Sequence, residues 1–183
     1  QPYTTHPRLD EFAGGSSPHP MSEYGCTSCH AGRGRGTDFI SSGHMPKDEI
    51  QAKEWKEKYG WEALHYWDDK MLPAQYVEAG CFKCHSDNMP VVGAETLTLG
   101  MATFEKAGCY TCHSMDRWGE EYPKAGPSLY KVASKTTKDW TYRWIMEPRA
   151  FRHNTWMPHF FKKGNNSSPE DLIRTEQETL AMT

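Results

Sequence analysis

The residues able to do chemistry are the cysteines. All six stand in one repeated pattern, Cys-x-x-Cys-His: Cys26-Thr27-Ser28-Cys29-His30, Cys81-Phe82-Lys83-Cys84-His85 and Cys109-Tyr110-Thr111-Cys112-His113. Two thiols separated by two residues span the two vinyl groups of a haem and add across them as thioethers. The histidine one step beyond then lies under the iron as its proximal ligand. The spacing therefore predicts three covalently bound haem c groups, held by Cys26 and Cys29, Cys81 and Cys84, and Cys109 and Cys112, with His30, His85 and His113 as proximal ligands. Composition alone would yield about 0.01 such pentapeptides by chance, so three that use every cysteine are no accident. Zinc knuckles come in pairs, and three leave one over. A redox dithiol calls for a single motif in a βαβ setting. Structural disulfides do not require a histidine after each pair.

Each haem also needs a group on its far face, or an open position. The other histidines are His6, His19, His44, His65, His153 and His159. His6 lies in a proline-rich stretch (Pro2, Pro7, Pro18, Pro20) and is expected to be exposed. His44 and His65 are the expected distal ligands of two bis-His haems. His19 is the substitute, and the assignment of each histidine to an iron is open. Met21, Met45, Met71 and Met89 are the thioether rivals; Met45 stands beside His44, and Met89 is only four residues after His85. The run Gly32-Arg33-Gly34-Arg35-Gly36 has no preceding strand and does not fit a dinucleotide fingerprint. Its arginines either pair with haem propionates or stay solvated in a loop.

Composition agrees with this chemistry. The 183 residues carry 21 Lys and Arg against 24 Asp and Glu, and the pI near 6.3 argues against nucleic-acid binding. No apolar run approaches the roughly 18 residues of a spanning helix. Val, Ile and Leu are scarce, whereas 7 Trp, 9 Tyr, 7 Phe and 9 Met are ample. Porphyrin faces packed by aromatic and Met side chains would supply the core that aliphatic residues do not.

The elements that position these groups read as helices joined by long loops. Helices are expected over 46–59, with Pro46 at the first position and Gly60 beyond the end, and over 61–68, 94–107 and 137–147. Ser168-Pro169-Glu170-Asp171 is a helix start with an N-cap Ser, Pro at the first position and an acid at the third. Glycines before each motif, Gly25, Gly80 and Gly108, suit helix ends that turn into the attachment loop. No strand alternation is convincing. The fold class is mostly α, with a boundary near 91–93 between a dihaem segment (1–93) and a monohaem domain (94–183).

Residues 94–183 resemble class I cytochrome c. A helix with Gly100 and Phe104 precedes the haem motif, Gly126-Pro127-Ser128-Leu129 is similar to the family's Gly-Pro-x-Leu, and Trp140–Ile145 is similar to the helix that backs the haem. The resemblance implies that the Pro127 carbonyl accepts from His113 Nδ1. It also implies that Met157, in Met157-Pro158 and 44 positions after His113, is the sixth ligand, with His153 and His159 as runners-up. The final helix would pack on 94–107. It lacks the family's aromatic-Leu pair, which implies a chain cut from a longer protein. The segment with His19-Pro20-Met21, the Gly-Arg run, Ser42-Gly43-His44 and His65-Tyr66-Trp67 resembles bacterial multihaem cytochromes that accompany bc-type quinol-oxidising complexes.

The expected function is electron transfer in a respiratory-type chain. Electrons would pass between lower-potential bis-His haems and a higher-potential His/Met haem. Expected partners are redox proteins: a membrane quinol-oxidising complex, and a terminal oxidase, reductase or soluble cytochrome. The alternative is a haem peroxidase or reductase with an open amino-terminal haem. Thioether attachment follows export, and a start at Gln1 suits removal of a leader, so the periplasm or an extracytoplasmic membrane face is the expected location.

Overall fold

A computed structural model describes residues 6–118, 123–161, 163 and 167–183. Among these residues the regular structure is helical, with no strand and two isolated bridges, Ala31–Met71 and Met115–Trp118. The backbone groups into two units, Gln1–Gly80 and Cys81–Thr183.

In the first unit, a 3-10 turn over Leu9–Glu11 leads to two short helices, α1 (Met21–Tyr24) and α2 (Thr27–His30). Helix α3 (Glu49–Tyr59) starts later than the proline suggested. Asp48, not Pro46, sets its beginning, because the Asp48 carboxylate accepts from the Gln51 N–H over 2.8 Å. Such a cap contributes about 1 kcal/mol. Glu49 in the first turn and Lys56 and Lys58 in the last complement the helix dipole, and Gly60 ends the helix in the left-handed region.

The helix expected over 61–68 does not form. Those residues are irregular apart from a turn at 65–66, and the Trp61 indole N–H donates to the His44 carbonyl over 2.9 Å instead. The pull of Trp61 towards Trp55, at 6.3 Å between rings, outweighs the helical spacing. A 3-10 stretch over Ala74–Cys81 runs to the unit boundary.

In the second unit, α4 (Phe82–His85) carries the second motif and α5 (Glu95–Lys106) leads to the third. After α5 the chain reverses at Gly108 (φ 68, ψ 26) into the 3-10 turn Cys109–Thr111. Only glycine takes that backbone freely. Gly25 also has a positive φ, whereas Gly80 is buried against the Cys29 backbone, so close approach rather than a turn calls for glycine there.

Helix α6 (Lys138–Met146) is capped by Thr137, whose hydroxyl accepts from the Trp140 N–H over 3.2 Å. Pro148 does more than stop this helix: it opens α7 (Pro148–Phe151) at the first position. Helix α8 (Pro169–Ala181) begins with a complete capping box between Ser168 and Asp171.

Helices α5 and α8 pack together, and α6 packs on both α7 and α8. The α5–α8 crossing is close enough that a Cβ at Gly100 would collide with the Ala181 carbonyl. Ala94, Met101, Met146, Pro148 and Phe161, all in this unit, are buried apolar side chains. Most aromatic side chains stay partly accessible.

Candidate haem-binding sites

The first motif spans α2. Cys26 and Cys29 are exposed and His30 is half-buried. The His30 carbonyl accepts from the Leu72 N–H over 2.9 Å, and Ala31, with φ 56, turns the chain away directly after it. Burial holds the His30 imidazole below the ordinary histidine range, and His6 and His44 nearby add like-charge cost. The His6 and His30 rings stand 5.7 Å apart and nearly perpendicular.

His44 lies stacked on Phe39 at 4.1 Å, with its Nδ1 2.7 Å from the Phe39 carbonyl oxygen. Donation from Nδ1 leaves Nε2 as a lone-pair ligand, the arrangement usual for metal-binding histidines. His65 is exposed. It lines a 510 Å³ cavity with Ala52, Lys56 and Trp61, and no residue of the first motif lines that cavity. Arg33 sits over the Trp67 ring at 5.4 Å, and with Gly34 and Arg35 the two line a 330 Å³ cavity. His19 Nδ1 is 3.5 Å from the Glu11 carboxylate.

The second motif lies on α4, with Cys81 half-buried and Cys84 exposed. The Asn88 N–H donates to the His85 carbonyl over 3.2 Å, and the Arg117 guanidinium donates to the Ser86 carbonyl over 3.4 Å.

The third motif is held by contacts on both sides of its histidine. Cys109 and Cys112 are half-buried, and burial pushes the Cys109 thiol up. His113 Nδ1 is 2.7 Å from the Pro127 carbonyl oxygen. Backbone bonds clamp this strap on both sides: Gly126 N–H to the Cys112 carbonyl at 2.8 Å and Leu129 N–H to the Ser114 carbonyl at 2.9 Å. A Cβ at Gly126 would sit 2.7 Å from His113 Cε1, so only glycine lets the strap lie against the ring. Met157 is half-buried and its sulfur accepts from the Trp144 indole N–H over 2.7 Å. His153 is exposed, while His159 Nε2 is buried without a hydrogen-bond partner. Trp156, beside Met157, is 99% exposed.

A family model described as cytochrome c oxidase, mono-heme subunit/FixO matches residues 73–183. The chain belongs to the FixO family. No curated protein and no solved structure matches it. Membership makes this FixO-family chain a c-type cytochrome that serves electron transfer in an oxidase context. The family description names one haem, and the matched stretch holds two attachment motifs, Cys81–His85 and Cys109–His113.

The donor chemistry of the chain fits haem c. Paired thiols at vinyl spacing precede an imidazole, and at the third motif the imidazole is oriented by a carbonyl and cradled by a residue without Cβ. Among the described residues no helix is long and apolar enough to cross a membrane.

Two features of this FixO-family chain escape a reading of the sequence. His6, expected to be exposed, is half-buried between Phe12 and His30. Trp144 reaches Met157 from 13 positions away, a distance with no local periodicity to announce it.

Proposed function

We propose that this chain is a three-haem electron carrier of an oxidase assembly, with haem c attached at all three motifs. The supporting observation is that each cysteine pair is followed by its own histidine, and that His113, His30 and His85 each have local backbone or side-chain contacts fixing them. Bound haem supplies a one-electron iron couple. The chain's own residues set its potential and direction.

Around the third motif, over 94–183, the reading is a class I cytochrome c domain. Pro127 orients His113, and Met157 offers its sulfur as sixth ligand. A thioether ligand favours the reduced state, so this site has the highest potential. In the dihaem segment, 1–93, both irons take a second imidazole, with His44 and His65 the pair singled out by sequence. Lacking a thioether, these sites lie lower. Electrons then run downhill towards His113.

A quinol-oxidising complex is the proposed donor and the oxidase the proposed acceptor. The proposed location is the periplasm or an extracytoplasmic membrane face, where thioethers are made.

Mass spectrometry of the denatured, exported protein tests the count. Three haems above the polypeptide mass are expected, falling to two in Cys26→Ser/Cys29→Ser. One haem on the wild-type chain would refute the reading and leave a mono-haem protein.

A further inference from the structure

We propose that His6 is the second axial ligand of the iron carried by His30, in place of His44. The proposal rests on the reading that Cys26–His30 holds a haem. With metal–imidazole bonds of about 2 Å, two imidazoles on opposite faces of one iron have ring centres roughly 6 Å apart. His6 and His30 stand 5.7 Å apart with planes at 83°.

Separate pieces of backbone bring the two rings together. The arm bearing His6 turns at Leu9–Glu11 and is tied back by His19 N–H to the Glu11 carbonyl at 3.1 Å and Met21 N–H to the Phe12 carbonyl at 3.3 Å. The edge-on Phe12 ring, 4.8 Å away, fixes the imidazole plane of His6. His30 is fixed independently by Leu72 through its carbonyl. His44, by contrast, lies flat on Phe39 at 4.1 Å and beside Trp55 at 6.3 Å.

The Arg8 N–H donates to His6 Nδ1 over 3.0 Å. Ligation through Nε2 puts the ring proton on Nδ1, so this local bond is exchanged for water when iron binds. One weak bond is lost and an iron–nitrogen bond is gained.

The test uses the full, exported holoprotein. His6→Ala is expected to keep three haems by mass and to turn one of them high-spin and CO-binding, while His44→Ala leaves the His30 haem low-spin. His6→Met covers the case in which the alanine variant does not accumulate. It is expected to add a thioether-to-ferric charge-transfer band and to raise one redox wave. His6→Ala with all three haems low-spin, or His6→Met with no new band, overturns the proposal while the three-haem reading stands. A wild-type peptide spanning 26–30 that carries no haem overturns the reading at this motif and the proposal with it.

Discussion

The indole N–H of Trp144 donates to the sulfur of Met157 over 2.7 Å. Trp144 is held for this by stacking on Trp140 at 5.2 Å and by Phe151 at 6.1 Å. A hydrogen bond to one sulfur lone pair draws electron density away from the other, which lowers the donor strength of a thioether ligand and favours reduced iron. Trp144→Phe is therefore expected to lower one redox wave. A weak bond worth roughly 0.5–1 kcal/mol corresponds to about 20–40 mV for one electron. Potentiometric titration reads this directly, and a titration superimposable on wild type would remove Trp144 from any tuning role.

Met157→Ala should act more strongly on the same wave. It is expected to abolish the thioether-to-ferric band and to lower the highest of three potentials, leaving the other two in place. The buried Nε2 of His159, two residues on, makes this a discriminating experiment. A wild-type protein without that band, and a titration unchanged in the variant, would return Met157 to core packing and point to His159 as the ligand.

Gly126→Ala is expected to destabilise the second unit. The added Cβ would lie 2.7 Å from His113 Cε1 and 2.8 Å from the Cys112 carbonyl oxygen, and neither belongs to a flexible side-chain end. Overpacking of this kind costs about 1–3 kcal/mol. Gly15→Ala, where a Cβ meets nothing within 4 Å, is the control. Denaturant unfolding of both holoproteins checks the difference, and equal midpoints would show that the strap yields freely.

The start of α8 carries an acid-sensitive cap. The Ser168 N–H, donating over 3.1 Å, holds the Asp171 carboxyl below the ordinary carboxylate range, with the Ser168 hydroxyl and Arg174 adding to the effect. A depressed folded-state value means that the cap stabilises above the unfolded carboxylate value, about 3.9, and that this contribution is lost as pH falls through the lower folded value. Circular dichroism should show α8 fraying on acidification. Asp171→Asn, which removes the titrating carboxylate that accepts from the Ser168 N–H, should flatten that acid dependence. An identical acid profile in the variant would mean that the cap contributes nothing.

What the sequence determined by itself is the chemistry whose geometry is local. Two cysteines and a histidine within five residues predict a haem attachment whatever the rest of the chain does, because the spacing is set by covalent bonds. Ser168 with Asp171, three residues apart, likewise specified the start of α8, whereas the Gly126-Pro127 strap that meets His113 was implied by the resemblance to class I cytochrome c.

Tertiary structure decided which distant side chains meet. Helical spacing over 61–68 lost to the Trp61 bond with the His44 carbonyl, since a short segment gains more from one long-range hydrogen bond and ring packing than from an unnucleated helix. The proline-rich composition around His6 pointed to exposure, whereas its nearness to His30 depends on how the arm is tied back to α1 through Phe12 and Met21. Trp144 reaches Met157 only because α6 and the chain beyond α7 fold onto each other. An axial ligand or its hydrogen-bond partner is chosen by the path of the chain in space, and proximity along the sequence carries no information about that path.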